Sequence, residues 1–337
     1  MEENLYGRRR GKLIWLFIGL VLLTTLLLAS VRFGIHQFSI RELWMAYSRF
    51  DGSNEHLIIR TTRVPRALIA AAVGACLAVA GAVMQALTRN PLASPSVFGI
   101  NSGASLFIVI GLVAFGPLLT LGNMVWIAFA GAACTSAFVY ALGAGGRSAF
   151  EPIRLTLAGA AVAAFASSVT SGLILINKQS LETALFWMIG SVSGRQLEHL
   201  LIVLPYMLIG LIIAMSLANS LNLMALGDDS ARSLGQRMLL TRMMAALSVI
   251  LLAGSSVAAA GPIAFVGLVV PHLCKSFTGP DHRWLIPYCA LGGALLLVAA
   301  DLASRFILMP KEVPVGVATA LIGVPFLIHA ARRREHA

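Results

Sequence analysis

The sequence predicts an all-α polytopic membrane protein, and three observations predict it. Of 337 residues, 58% are hydrophobic and 12% charged, with a mean hydropathy of +0.86. An ordinary soluble domain has roughly 45–50% apolar and about 25% charged residues. The apolar residues also collect in runs near the length of about 20 residues that a bilayer crossing needs. Finally, the polar residues lie between those runs and leave no stretch for a sizeable aqueous domain, so residues 1–337 read as one transmembrane domain. The 25 Lys and Arg against 14 Asp and Glu give a net charge of +11. These cations flank apolar runs, which marks orientation in a membrane rather than a nucleic-acid partner.

Taken in order, Arg8, Arg9, Arg10 and Lys12 stand directly before the run Leu13 to Val31. The charge resembles that of a signal peptide, and Ala29 mimics a cleavage site. The run is nonetheless long enough to span and many runs follow, so it reads as an uncleaved first helix with residues 1–12 in the cytoplasm. Phe33 to Thr62 is polar and mixed, an external loop in this reading. The remaining spans are Val64–Leu87, Val97–Phe115, Leu121–Leu142, Ile153–Ile176, Leu200–Ala218, Leu239–Ala260, Ile263–Phe277, Trp284–Leu308 and Val315–Ala330, which makes ten in all. An even number returns residues 331–337, with Arg332, Arg333 and Arg334, to the cytoplasm, where the positive-inside rule puts them. Arg60, Arg63 and Arg66 cluster at one external helix mouth, a place for something acidic to dock.

Many runs are rich in Gly, Ala and Ser, such as Ala70 to Ala75 and Ala158 to Ala161. Small residues let helices approach closely in lipid, so a tightly packed bundle is expected. Cys76, Cys134, Cys274 and Cys289 stand singly without C-x-x-C spacing, which reads as small core fillers and no metal site. Arg63 to Gly81 leads into Asn90–Pro95, and Arg242 to Gly261 leads likewise into Pro262 and Pro271–His272, a weak hint of an inverted repeat.

Three segments put polar or helix-breaking residues where a plain membrane helix has none. Met84 to Ala104 contains Pro91 and Pro95 among short polar residues. At membrane depth such backbone lines a cavity or is buried in protein, and an ordinary loop is the alternative. Leu226 to Gly235 is a glycine-bracketed helical pattern with Asp228 or Asp229 as N-cap and Gly235 as stop, suited to docking a partner or to a plain connector. Gly261 to His272 contains two prolines and two glycines and predicts a short or broken helix with a structural His272 at its end. Asp301 and Arg305 lie four apart on one helix face, either a functional pair or a mutual neutralisation. No G-x-x-x-x-G-K-[ST] loop occurs, so energy from ATP would come through a partner, and no cofactor is expected in this chain. Membrane acids are nearly absent, which disfavours the other class of reading, an ion-coupled secondary transporter.

Together, Arg63-Val64-Pro65-Arg66, Gly81–Gln85 running into Asn90–Pro95, Trp187–Gly194, Leu226–Gly235 and Phe265–His272 occur in one order. With them the chain resembles the FecCD-type permease subunits of bacterial ABC importers for ferric siderophores, haem and cobalamin. That resemblance implies the type II ABC importer permease fold, with ten transmembrane helices of which helices 2–5 and 7–10 form an inverted repeat. It implies a second permease subunit, two cytoplasmic ATPases and an extracytoplasmic binding protein as partners, in the bacterial cytoplasmic membrane. A ferric siderophore is the expected cargo, with cobalamin or haem as the alternative, and the chain itself is expected not to be an enzyme. Arg63, Arg66 and Arg305 look like the outer arginines that receive acidic residues of the binding protein. Gly227, Asp228, Asp229, Ala231, Arg232, Leu234 and Gly235, within residues 223–238, match the segment that couples to the ATPase. Asn90, Pro91 and Leu92 resemble the inner gate, and Trp187, Gly190 and Ser191 the outer one. Gly267, Pro271 and His272 complete the motif set as structural residues. The loop Arg147–Pro152 is less typical, and no site is assigned there.

Overall fold

A computed structural model describes residues 9–34, 36–144, 152–176, 181–308 and 311–332. Each of the ten expected runs is a helix, and the only strand-like pairing among the described residues is one isolated bridge between Leu308 and Lys311. Of the terminal cationic clusters, Arg8, Arg333 and Arg334 lie outside the described residues, as does the loop 147–151.

Helix α1 (Arg9–Arg32) starts within the cationic cluster. The loop expected over Phe33 to Thr62 is instead largely helical. In it stands α2 (Ile40–Ser48), and after a short irregular stretch α3 (Asn54–Ile58) and a π-helical turn (Ile59–Arg63) run directly into α4 (Val64–Thr88). Local capping explains this. The Glu42 N–H donates to the Ser39 hydroxyl at 3.2 Å and the Ser39 N–H donates to the Glu42 carboxylate at 2.6 Å, a reciprocal capping box. Ser53 caps α3. Pro65 follows directly on the π-helical turn, at the second residue of α4.

A 3-10 turn (Pro95–Phe98) precedes α5 (Ile100–Phe115), followed by α6 (Leu121–Ala144), α7 (Pro152–Ile176) and α8 (Leu181–Ile189). The second half holds α9 (Leu197–Ser216), α10 (Ala218–Met224), α11 (Asp228–Ser233), α12 (Met238–Ala260), α13 (Val266–Thr278), α14 (His282–Ile307) and α15 (Val315–Arg332). Seven helices, α1, α4, α6, α7, α9, α12 and α14, are long and apolar enough to cross a bilayer, and the shorter α5, α13 and α15 occupy the other three runs.

The repeat helices 2–5 are α4–α7, and helices 7–10 are α12–α15. Their first members are built alike. Long α4 ends at Arg89 with φ 50°, and an irregular segment leads to short α5, while long α12 ends at Gly261 with φ 74°, and an irregular segment leads to short α13. These two long helices form the centre of the bundle. In their most apolar stretches, 78% of α4 and 72% of α12 is buried, against 11% of α1 and 17% of α7. Small residues make that centre possible. A Cβ on Gly81 of α4 would lie 1.8 Å from the Gly267 carbonyl oxygen of α13, so only glycine lets these backbones meet. Cys76, Cys274 and Cys289 are buried as expected, but Cys134 is exposed.

Two local expectations change. Gly227, not Asp228 or Asp229, is the N-cap of α11, because both aspartates already lie in its first helical turn. His272 is not at a helix end. The chain restarts as helix only at Val266, after Phe265 at φ 70°, which puts His272 in the middle of α13 with its ring edge-on to Phe326 at 5.4 Å.

Candidate functional site

Helix α4 carries polar groups at both ends and borders a cavity midway. Its 25 residues at 1.5 Å rise make it about 38 Å long.

At its N-terminal end Arg63 and Arg66 meet Arg305 of α14. The arginines expected at the surface are buried, at 7%, 4% and 0% exposure. The reason is Asp301, itself 1% exposed. Arg66 donates to it through Nε at 3.0 Å and Nη2 at 2.9 Å, and Arg305 through Nη2 at 2.6 Å. Arg66 Nη1 also pairs with Glu312, whose Oε2 accepts from the Ser193 hydroxyl at 3.3 Å. Arg305 Nη1 and Arg63 Nη1 both donate to the Phe33 carbonyl, at 3.1 and 3.3 Å. The network therefore joins α1, α4, α14 and the two loops holding Ser193 and Glu312. The Asp301–Arg305 neutralisation read from the helix face is present, but Arg66 makes it a triad. Arg60 is spent nearby, donating to Ala46 O at 2.6 Å and lying 4.4 Å from the Phe50 ring centre. Burial pushes the Glu312 carboxyl up, but the hydrogen bond from Arg66 and the charges of Arg66 and Arg305 outweigh it and hold it below the usual carboxylate range.

Midway, the two proline-broken segments come together. A cavity of about 180 Å³ lies between Leu77 of α4, Ser94, Ser96 and Asn101 from the first, and Ile263, Phe265 and Gly267 from the second, with Ala253 of α12 closing it. The side-chain polar groups lining it are neutral hydroxyls and an amide. Asn90, Pro91 and Leu92 stand beside the cavity rather than in its lining, turned by an Asx-type bond from Leu92 N–H to Asn90 Oδ1 at 3.0 Å.

The expected outer-gate residues tie the two halves together. The Ser191 N–H donates to Ala260 O at 2.8 Å, and the Gly316 N–H to Gly190 O at 3.1 Å. Gly190, at φ 76°, has room only for hydrogen, since a Cβ there would lie 2.1 Å from Pro262 O. Trp187 packs beside them at 4% exposure.

At the other end of α4, the Asp228 carboxylate of α11 bridges Arg89 and Arg242. Burial pulls this carboxyl upward, and the two guanidiniums overcome it and hold it below the ordinary aspartate range. Ala231 is fully buried beneath α11, while the side chains of Asp229 and Arg232, 102% and 54% exposed, face away from the bundle. Leu226 and Leu234 are exposed beside them. The segment thus has two faces, which the sequence pattern did not separate. Glu312, Ser193, Arg89 and Arg242 also went unread as site residues. Each finds its partner through tertiary packing, and no local signal marks it.

Among the described residues, ten apolar helices bundled around a small cavity, where two proline-broken segments meet, with a short exposed helix at one end, define a polytopic membrane protein. The chain belongs to the FecCD transport family, which it matches over residues 21–333. It is 49% identical over 323 residues to a Bacillus subtilis (strain 168) protein named as a probable siderophore transport system permease, YfiZ, covering 96% of this chain and 97% of that one. It is 43% identical over 333 residues to the Fe(3+)-citrate import system permease protein YfmD of the same organism, covering 99% and 98%. A transporter assigned to the metal-chelate ABC type, solved in an inward-facing conformation, superimposes with a TM-score of 0.82 at 29% identity, covering 94% of this chain and 98% of that one. The chain is a permease subunit of the ABC importer class, a transport component rather than an enzyme.

Proposed function

We propose that this chain carries a ferric siderophore across a bacterial cytoplasmic membrane by alternating access. It works with a second permease subunit, of the same or a different sequence, two cytoplasmic ATPases and an extracytoplasmic binding protein, and both of its termini are cytoplasmic. The observation that carries this reading is the two-faced α11, anchored inward by Ala231 and Asp228 and presenting Asp229, Arg232 and Leu234 outward. A short rigid knob of this kind suits the groove of an ATPase, and closure of an ATPase dimer would rock the helices attached to it. The cargo is supported by relatives named for siderophore and ferric-citrate transport. Asp301 speaks against the ion-coupled alternative, because two arginines hold its charge and it is not free to exchange a proton or sodium.

Docking of the binding protein is proposed at the Arg63, Arg66 and Arg305 end. Since these cations are satisfied internally, an incoming carboxylate would exchange with Glu312, whose side chain is 25% exposed, rather than meet bare arginines. Complementary charge there speeds encounter and sets register. The test of the function is uptake of radioactive iron, given as several ferric siderophores, beside labelled haem and cobalamin, in cells with and without the gene. Loss of uptake for one siderophore class is expected. Loss of haem uptake alone would favour the second reading. ATP-independent uptake in vesicles would overturn the importer reading altogether.

A further inference from the structure

The ends of α11 are glycine turns. Gly227 and Gly235 stand at φ 107° and 80°, and a Cβ at either would meet nothing within 4 Å. Glycine is therefore required there for backbone freedom and not for space. A helix of six residues between two glycine turns is short, so side-chain contacts join the backbone in carrying force out of it. Besides Ala231, which packs into the core, two sets of polar contacts leave the segment. Gln236 donates through Nε2 to Ser220 O at 3.0 Å and to Thr241 Oγ1 at 3.2 Å, which fastens it to its sequence neighbours α10 and α12. Asp228 is the other, and through Arg89 it reaches across the fold to α4.

The Arg89 contact is the unusual one. Arg89 caps the C-terminus of α4 in the left-handed region, φ 50° and ψ 28°, where a residue with a Cβ is disfavoured. Its guanidinium grips both sides of the α10–α11 joint, donating to Met224 O at 3.0 Å and pairing with Asp228. The next residues are Asn90, Pro91 and Leu92, the expected inner gate, which lead to Ser94 and Ser96 at the cavity. Arg242, near the start of α12 and with a side chain 8% exposed, takes the second oxygen of the same carboxylate. One carboxylate thus joins the exposed helix to the N-terminal turns of α12 and the C-terminal end of α4, the two most buried long helices.

We propose that the Asp228–Arg89–Arg242 junction is the strut that passes displacement of α11 to the gate turn at Asn90–Leu92, with Asp228 and Arg89 as positioning residues rather than ATPase contacts. Asp229 and Arg232 meet the ATPase, and Asp228 transmits. The inference rests on the importer reading above.

The test uses the complete importer, permease with its ATPase and binding protein, in proteoliposomes. Three quantities are measured: co-purification of the ATPase, ATP hydrolysis, and substrate moved per ATP. Asp228→Asn and Arg89→Gln are each expected to leave co-purification and hydrolysis near wild type while lowering substrate moved per ATP, by about tenfold for Arg89→Gln, the order set by losing one charge-assisted bond, and by at least as much for Asp228→Asn, which loses two. The double variant is expected to lose no more than Asp228→Asn alone, because that change already breaks the Arg89 contact along with the Arg242 one. Arg89→Lys is expected to recover part of the coupling by keeping the charge. Arg89 is the safer site for the test, since its side chain is 41% exposed and its truncation leaves no cavity.

Losses of transport, hydrolysis and assembly in equal proportion would overturn the inference and make the junction a structural brace. So would additive effects of the two variants, or unchanged transport per ATP. Failure of the importer reading is told apart from these by the wild-type control. If the wild-type complex shows no ATP-dependent uptake of any iron chelate, haem or cobalamin, that reading falls first.

Discussion

Replacing Asp301 by Asn removes one charge from the centre of the outer network and keeps the shape. In the native chain this carboxylate, 1% exposed, neutralises Arg66 and Arg305, which are 4% and 0% exposed. Without it Arg66 keeps Glu312, but Arg305 retains only neutral acceptors, the carbonyls of Ser30 and Phe33 and the Ser30 hydroxyl. Breaking a buried pair by removing one partner typically costs about 3–5 kcal/mol, because the other charge stays desolvated. Two guanidiniums share the loss here, so Asp301→Asn is expected in the upper half of that range. Adding Arg305→Met removes the more isolated cation, so the double variant is expected to be no less stable than the single one. The assay is reversible unfolding of the purified chain in mixed micelles, with free energies compared across the wild type, both single variants and the double. A loss below about 1 kcal/mol for Asp301→Asn, the size of an exposed pair, would refute the reasoning by showing that water reaches the network.

Other consequences follow from the same geometry. Glu312 has its carboxyl held below the ordinary glutamate value of about 4.3, so its pairing stabilises the chain fully above that value and is lost as pH falls through the lower folded one. Unfolding measured from pH 7 down to pH 3 should show a steeper loss for wild type than for Glu312→Gln, and parallel curves would count against it. Gly81→Ala puts a Cβ against the Gly267 carbonyl and should cost about 3 kcal/mol, the upper end for overpacking, seen as a lowered unfolding midpoint. Arg232→Glu, on the outward face of α11, should weaken ATPase co-purification without changing the stability of the isolated chain. Wild-type association would remove Arg232 from the contact.

The ten spans were legible because each is a local property. A run of about 20 apolar residues has one stable state in lipid, a helix with its backbone bonded to itself. Pro91 and Pro95, and Pro262 with Gly261, marked the breaks for the same reason, since a missing N–H or a left-handed turn interrupts a helix wherever it lies. The short helices α2 and α3 escaped notice because their stability comes from caps at Ser39 and Ser53 rather than from hydropathy.

What the sequence by itself determined is therefore the set of long helices, where they break, and which small residues allow them to touch. Only the tertiary structure decided which charges are available. Arg66 and Asp301 are 235 positions apart, and Arg89 and Asp228 are 139 apart, so no spacing rule connects them. Arg63, Arg66 and Arg305 read as an open cationic patch until α14 brings Asp301 between them. Asp228 and Asp229 read as equivalent until packing turns one inward and the other outward. The physical reason is common to both cases. An isolated buried charge is too costly to keep, so packing and pairing are settled together, and only the assembled bundle holds both partners.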